Sequence, residues 1–160
     1  KVIALIPARM GSSRFPGKPM KKILGKPMIE IVYNNVCKSK LTNCTYVATC
    51  DLIIYNHIIK IGGNAIMTSS KHERASDRCA EALAYIEKEE GIKYDIVVMV
   101  QGDEPMTSPE MINDAVNPMI KDESIQVVNL LGKINNIEEF EDRNCIKVVC
   151  DKYSNALYGP

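Results

Sequence analysis

The residues best equipped for chemistry stand near the start of the chain. They read Ile6-Pro7-Ala8-Arg9-Met10-Gly11-Ser12-Ser13-Arg14-Phe15-Pro16-Gly17-Lys18-Pro19. Arg9, Arg14 and Lys18 bring positive charge, Gly11 and Gly17 leave backbone N–H groups accessible, and Ser12 and Ser13 add hydroxyl donors. Such a stretch suits an anion, most simply a polyphosphate. It is not the P-loop pattern G-x-x-x-x-G-K-[ST]: the spacing from Gly11 to Gly17 is one residue too long, and Pro19 stands where a metal-binding hydroxyl belongs. The dinucleotide fingerprint G-x-G-x-x-G is absent as well. A solvated surface loop is the competing reading. The density of Arg, Lys, Gly and Ser at the end of a first strand weighs against it.

A second constellation is Gln101-Gly102-Asp103-Glu104-Pro105. It offers two adjacent carboxylates directly after a continuously apolar run. Mg²⁺ is a hard ion that takes carboxylate oxygens together with substrate phosphates. Cations for phosphates plus an Mg²⁺-binding Asp are the parts needed for nucleotidyl or phosphoryl transfer. The competing reading is a plain surface turn, since Asp and Pro are turn residues. A third candidate is Ser76-Asp77-Arg78, where Ser76 and Asp77 equally suit a helix cap and Arg78 a solvated helical cation.

These groups need a scaffold that brings them together. Strand-like runs alternate with helix-like runs, which predicts an α/β fold with a mostly parallel sheet and crossover helices. Residues 2–6 form a first strand, and Met28, Ile29, Val32 and Val36 recur at helical spacing, with the helix ending near 38–40. Strands follow at 45–49 and 64–67, with a helix over 53–61 stopped by Gly62-Gly63. A polar connection at 68–74 leads to a helix over 75–90, closed by Gly91. Residues 95–100 form a buried strand, since 96–100 is continuously apolar. Ser108 caps a helix that has Pro109 at its first position and runs to about 120. Further strands are expected at 126–131 and 145–150, separated by a polar, acidic connection at 135–143. In a parallel sheet all carboxyl ends face one edge, so the first loop and the Gln101–Asp103 loop can converge on one crevice.

Composition narrows the partners. The chain has 160 residues, 46% hydrophobic and 25% charged, with a formal net charge of zero. That fits one soluble domain spanning 1–160 with a real core. Zero net charge argues against nucleic acid or an anionic membrane as the main partner. No apolar run approaches the roughly 18 residues of a membrane helix, and 2–6 is too short for a signal peptide. The six cysteines form no C-x-x-C pair and His57 and His72 are the only histidines, so reduced thiols in a cytoplasmic protein are expected rather than zinc. His72 reads as a polar loop residue, His57 as a solvent-facing helix residue and the methionines as core filler.

Together the motifs resemble the sugar-acid cytidylyltransferases, the group of CMP-KDO and CMP-sialic acid synthetases, and most closely its 3-deoxy-manno-octulosonate branch. The first loop carries the resemblance with Gln101-Gly102-Asp103-Glu104-Pro105. Gly25-Lys26-Pro27-Met28-Ile29, Val47-Ala48-Thr49, Met67-Thr68-Ser69, Ser76-Asp77-Arg78, Lys147-Val148-Val149 and Ala156-Leu157-Tyr158 agree in order. The resemblance implies a Rossmann-like three-layer α/β/α nucleotidyltransferase fold. It implies that CTP and a sugar acid give a CMP-sugar and pyrophosphate, for cell-surface polysaccharide synthesis, in a cytoplasmic homodimer that uses Mg²⁺.

Carried onto this chain, Arg9, Arg14 and Lys18 would hold the triphosphate, with Gly11, Ser12 and Ser13 as donors. Ala8, Ser76 and Arg78 would hold the cytidine, and Gln101 would face the nucleotide or the sugar acid. Asp103 would bind Mg²⁺. Arg9, Lys18 and Asp103 would be the catalytic set. The chain departs from the family pattern at Arg74-Ala75, where Ser-Gly is usual, and at Gly159-Pro160. A C-terminal part of the pattern, with a second Mg²⁺-binding Asp, is expected to be missing. The acceptor therefore stays open between 3-deoxy-manno-octulosonate, sialic acid and a phosphonate, as does the reading of a non-catalytic CTP-binding module.

Overall fold

A computed structural model describes residues 1–11 and 15–158. The chain divides into two compact units, Lys1–Val128 and Asn129–Pro160.

The first unit is built on β1 (Val2–Ala8), every residue of which is buried. Successive side chains of a strand point to opposite faces, and β1 feeds a core on each side. Val2, Ala4, Ile6 and Ala8 join one hydrophobic cluster, and Ile3 and Leu5 join the other. Strand β4 (Cys44–Thr49) pairs with β1 in parallel, and β5 (Ala65–Met67) pairs with β4. Strand β6 (Ile96–Met99) lies on the other side of β1, giving the parallel order β5-β4-β1-β6. The four strands thus run 3-2-1-4 in sequence order, and the order reverses between β1 and β6.

Helices α1 (Met28–Val36), α2 (Leu52–Lys60) and α4 (Pro109–Lys121) cover one face, through Ile29, Val32, Ile54, Ile58, Ile112 and Val116. Helix α3 (Ala75–Glu90) covers the other through Cys79, Ala82 and Ile86. This is a three-layer α/β/α, Rossmann-like fold with a parallel sheet. Ser108 caps α4, its hydroxyl accepting the Met111 N–H at 3.3 Å. Gly91 ends α3 in the left-handed region at φ +67°.

The expected buried strand at 95–100 is β6, and it lies at the edge of the four-stranded sheet. Val97 and Met99 pair with Ile3 and Leu5 and share their face, yet are 41% and 45% exposed. The cause is position: α3 packs mainly over β1 and β4. The methionines are not uniformly core filler, since Met28 is buried but Met106 is 83% exposed. A two-residue hairpin, β2 (Lys22–Ile23) with β3 (Lys26–Pro27), lies between β1 and α1. Its turn needs positive φ at both Leu24 and Gly25, and only the glycine signals this in sequence.

In the second unit the expected strand at 145–150 shortens to β7 (Val149–Cys150), paired antiparallel with β8 (Ala156–Tyr158). The polar connection contains a short helix, α5 (Ile137–Glu141), capped by Asn136, whose side chain accepts the Glu139 N–H at 2.8 Å. Residues 126–131, which span both units, form no strand. An apolar run needs a neighbouring ladder to become a strand, and none is offered there among the described residues. No helix among the described residues is long and apolar enough to cross a membrane.

Candidate active site

A cleft of about 300 Å³ opens in the first unit at the carboxyl ends of β1 and β6. This is the edge, and the reversal point, at which ligands bind in open α/β sheets. One wall comes from the end of β1 and the turn after it, with Ala8, Arg9, Gly11 and Lys18. A second comes from the turn after β6, with Gln101, Gly102 and Asp103. The third comes from the connection between β5 and α3, with His72, Glu73, Arg74 and, on α3, Arg78.

Local chemistry explains each placement. The Asp51 carboxylate, just past β4, accepts the Met10 N–H at 2.7 Å and fixes the departure of the first loop. The Gly17 N–H then donates to the Met10 carbonyl at 2.9 Å and closes the loop on itself. Gly17 sits at φ +73°, where a side chain would be strained, and turns the chain into a short 3-10 helix, Lys18–Met20. Lys18 is thereby delivered to the cleft, and its Nζ lies 2.8 Å from Asp103 Oδ2. On the other side, the Val100 N–H extends the ladder to the Leu5 carbonyl at 3.0 Å. Gly102 then passes so close to β1 that a Cβ there would stand 2.7 Å from the Pro7 carbonyl oxygen. Asn35 of α1 anchors the far end of this turn by donating to the Pro105 carbonyl at 3.2 Å.

The third wall is tied to α3. Arg78 is 3% exposed, so it is not the solvated helical cation that the bland sequence reading allows. Its Nη1 donates to Thr68 Oγ1 at 2.5 Å and to the Ser69 carbonyl at 3.3 Å. Its Nη2 is buried and has no hydrogen-bond partner among the described residues, a donor left for a ligand. Glu81, one turn further on, accepts the Ser69 N–H at 2.8 Å and pairs with His72 Nε2 at 2.7 Å. The Ser69 N–H above all, and then His72 and Tyr85, hold the Glu81 carboxyl below its ordinary value against the opposing effect of burial. His57 is likewise not free in solvent: its Nε2 lies 2.9 Å from Glu30 Oε2, joining α2 to α1.

Of the site residues expected from sequence, Ala8, Arg9, Gly11, Lys18, Arg78, Gln101 and Asp103 meet at this cleft. Ser76 is exposed in the first turn of α3 and is not part of the wall. Nor do Ser76 or Asp77 cap α3, because the N-cap position falls on Arg74. Ser12, Ser13 and Arg14 lie outside the described residues. Sequence reasoning passed over Asp51, Thr68, Glu81 and the cleft-facing roles of His72 and Arg74. A signal was present, since the segments after β4 and β5 leave the sheet at the same carboxyl edge. For a metal, no group of three or more His, Cys, Asp and Glu converges among the described residues. Asp103 fits an ion that takes one or two carboxylates and completes its shell with phosphate oxygens and water.

The cytidylyltransferase family model matches residues 3–159. The chain belongs to the cytidylyltransferase family. It is 43% identical over 158 residues to the 3-deoxy-manno-octulosonate cytidylyltransferase of Syntrophus aciditrophicus. The alignment covers 99% of this chain and 62% of that one. The enzyme of the same name from Geobacter metallireducens is 42% identical, with 99% and 60% covered. Among solved structures, that of CMP:2-keto-3-deoxy-manno-octonic acid synthetase complexed with CTP superposes with a TM-score of 0.87 at 36% identity, covering 99% of this chain and 63% of the other. The chain thus spans 60–62% of the length of these two relatives.

Proposed function

We propose that the chain binds CTP at the cleft between β1 and β6 and forms the nucleotide-binding part of an enzyme coupling CTP to 3-deoxy-manno-octulosonate. The observation that carries this reading is the meeting of Lys18 and Asp103 across the switch point, 2.8 Å apart. The names of the two relatives support the choice of acid. In the reaction the anomeric hydroxyl oxygen of the acid bonds to the α-phosphorus of CTP and gives up its proton to water. The bond from that phosphorus to the bridging oxygen breaks, and its electron pair leaves with pyrophosphate.

Lys18 and Arg9 neutralise charge on the β- and γ-phosphates as the leaving group forms. Arg14, Ser12 and Ser13 belong to the same loop and are assigned to the triphosphate by resemblance. Asp103 would hold Mg²⁺, which would supply positive charge to offset that of the phosphates. Gln101 faces the nucleotide or the acid. Arg78, with its buried Nη2, and Ala8 bound the cytidine side. The remaining work is positioning, which by itself can supply several kcal/mol of barrier lowering. A cytoplasmic setting is supported by six cysteines that are all free thiols. The homodimer rests on the resemblance.

A different acceptor is favoured by one observation. Arg74 lines the cleft where the family pattern has a small residue, and an added cation suits a more highly charged acid such as a phosphonate.

The test is pyrophosphate release from CTP and Mg²⁺ by the full protein that carries this chain, with 3-deoxy-manno-octulosonate, sialic acid and a phosphonate offered in turn. Release with the first establishes the reading, and release with another renames the acceptor. Binding of CTP without release under any acid leaves a nucleotide-binding module. Failure to bind CTP overturns the proposal.

A further inference from the structure

His72, on the connection between β5 and α3, and Glu81, on α3 itself, form a pair that the phosphate chemistry does not use. His72 forms part of the cleft wall, and its Nε2 lies 2.7 Å from Glu81 Oε2. The same carboxylate oxygen accepts the Ser69 N–H at 2.8 Å. Glu81 is not itself part of the wall. It reaches the cleft only through His72.

Two features fix what this arrangement does. A carboxylate already receiving a backbone N–H acts as an acceptor, so the ring nitrogen facing it must carry a hydrogen. In the neutral ring the other nitrogen then keeps a lone pair. Among the described residues, Nδ1 has no hydrogen-bond partner while Nε2 is held. The Ser69 peptide is also gripped from both ends, its N–H by Glu81 and its carbonyl by Arg78 Nη1 at 3.3 Å. His72 is therefore presented on a short, doubly anchored segment rather than on a loose loop. The charged groups nearest it are Glu81 on its ring, Lys71, Glu73 and Arg74 beside it in the chain, and Arg78 on the same wall of the cleft.

We propose that Glu81 is a positioning residue that locks His72 as the Nε2–H tautomer, so that Nδ1 stands in the cleft as a hydrogen-bond acceptor for the nucleoside half of the ligand. This rests on the reading of the cleft as a CTP site. The wall shares the cleft with Arg9, Gly11 and Lys18 of the first loop, and a nucleoside offers two kinds of donor there, the exocyclic amino group of cytosine and the ribose hydroxyls. The shared chemistry is an N–H or O–H donated to Nδ1. If the base supplies the donor, His72 discriminates against uracil, whose corresponding group is a carbonyl acceptor and leaves Nδ1 unpaired.

Nitrogen-15 spectra of the imidazole rings in the full protein, with and without CTP, provide the test. The expected result is a protonated Nε2 and a bare Nδ1 on His72 in the free protein, with Nδ1 shifting towards the hydrogen-bonded position when CTP is added. Glu81→Gln should mix the two tautomers and weaken CTP binding threefold to tenfold, His72→Asn should weaken it comparably, and the double variant should be no worse than the single ones. His72→Asn does not depend on Glu81 and guards against misfolding of the Glu81 variant. Measured with UTP and 2′-deoxy-CTP in parallel, His72→Asn should erase the preference over whichever analogue lacks the donor. A proton on Nδ1, strictly additive losses, or CTP binding that leaves Nδ1 unmoved overturns this inference alone. Failure of the wild-type protein to bind CTP at all overturns the reading of the site and this inference with it.

Discussion

Lys18 Nζ and Asp103 Oδ2 stand 2.8 Å apart although 85 residues separate them in the chain. The contact joins the turn after β1 to the turn after β6, the two strands between which the sheet order reverses. Both side chains are substantially exposed, at 40% and 49%. An ion pair so open to water adds about 0–1 kcal/mol to stability. On the proposed reading its significance is electrostatic: opposite charges are held together where phosphates and a hard cation would meet.

Replacing either partner should therefore separate stability from activity. Lys18→Met and Asp103→Asn should each change unfolding free energy by less than about 1 kcal/mol. Turnover should fall by about 10²–10³, the magnitude typical of losing one preorganised electrostatic contact. Urea unfolding and pyrophosphate release on the same samples decide this. Large losses of stability with retained turnover would make the pair structural.

Gly102 should be intolerant of a single methyl group. A Cβ there would stand 2.7 Å from the Pro7 carbonyl oxygen, 3.2 Å from Ala8 Cβ and 3.3 Å from Ile29 Cδ1. The nearest of these is backbone in the central strand, which cannot swing aside. Gly102→Ala should destabilise the protein by about 1–3 kcal/mol, as overpacking of a filled site does. It should also displace Asp103 and weaken Mg²⁺-dependent CTP binding. Gly132→Ala is the control, since a Cβ there meets nothing within 4 Å. Thermal unfolding of both variants with and without CTP and Mg²⁺ is the measurement, and equal behaviour of the two would remove Gly102 from the argument.

The order of elements in the first unit was legible because its signals are local. The spacing of Met28, Ile29, Val32 and Val36 marks α1, Ser108-Pro109 marks the start of α4, and Gly91 marks the end of α3. The convergence of Lys18 and Asp103 was legible too, from the rule that parallel strands end on one edge. Two kinds of feature were not. The exposure of Val97 and Met99 depends on where α3 lies across the sheet, which no local pattern encodes. The burial of Arg78 depends on Thr68 and Ser69 arriving beneath it from another element, whereas a helical Arg beside Asp77 reads locally as a solvated cation. The run at 126–131 has the apolar content of a strand without a ladder to join, so composition alone mistook it.

The Glu81 carboxyl is held low by the Ser69 N–H, and further by His72 and Tyr85, which makes its contribution to stability depend on pH in a definite direction. A group whose value is depressed in the folded state stabilises that state fully above its unfolded value, near 4.3 for Glu. The contribution disappears as pH falls through the lower folded value. Asp95, Glu87 and Asp151 are also held low, so wild-type stability alone will fall in acid for several reasons at once. The difference between wild type and Glu81→Gln isolates one of them. That difference should shrink as pH drops below about 4.3. Urea unfolding of the two proteins across pH 3–7 measures it. A difference that stays the same down to pH 3 would mean that the carboxylate charge of Glu81 plays no part in holding the Ser69 backbone and His72 in place.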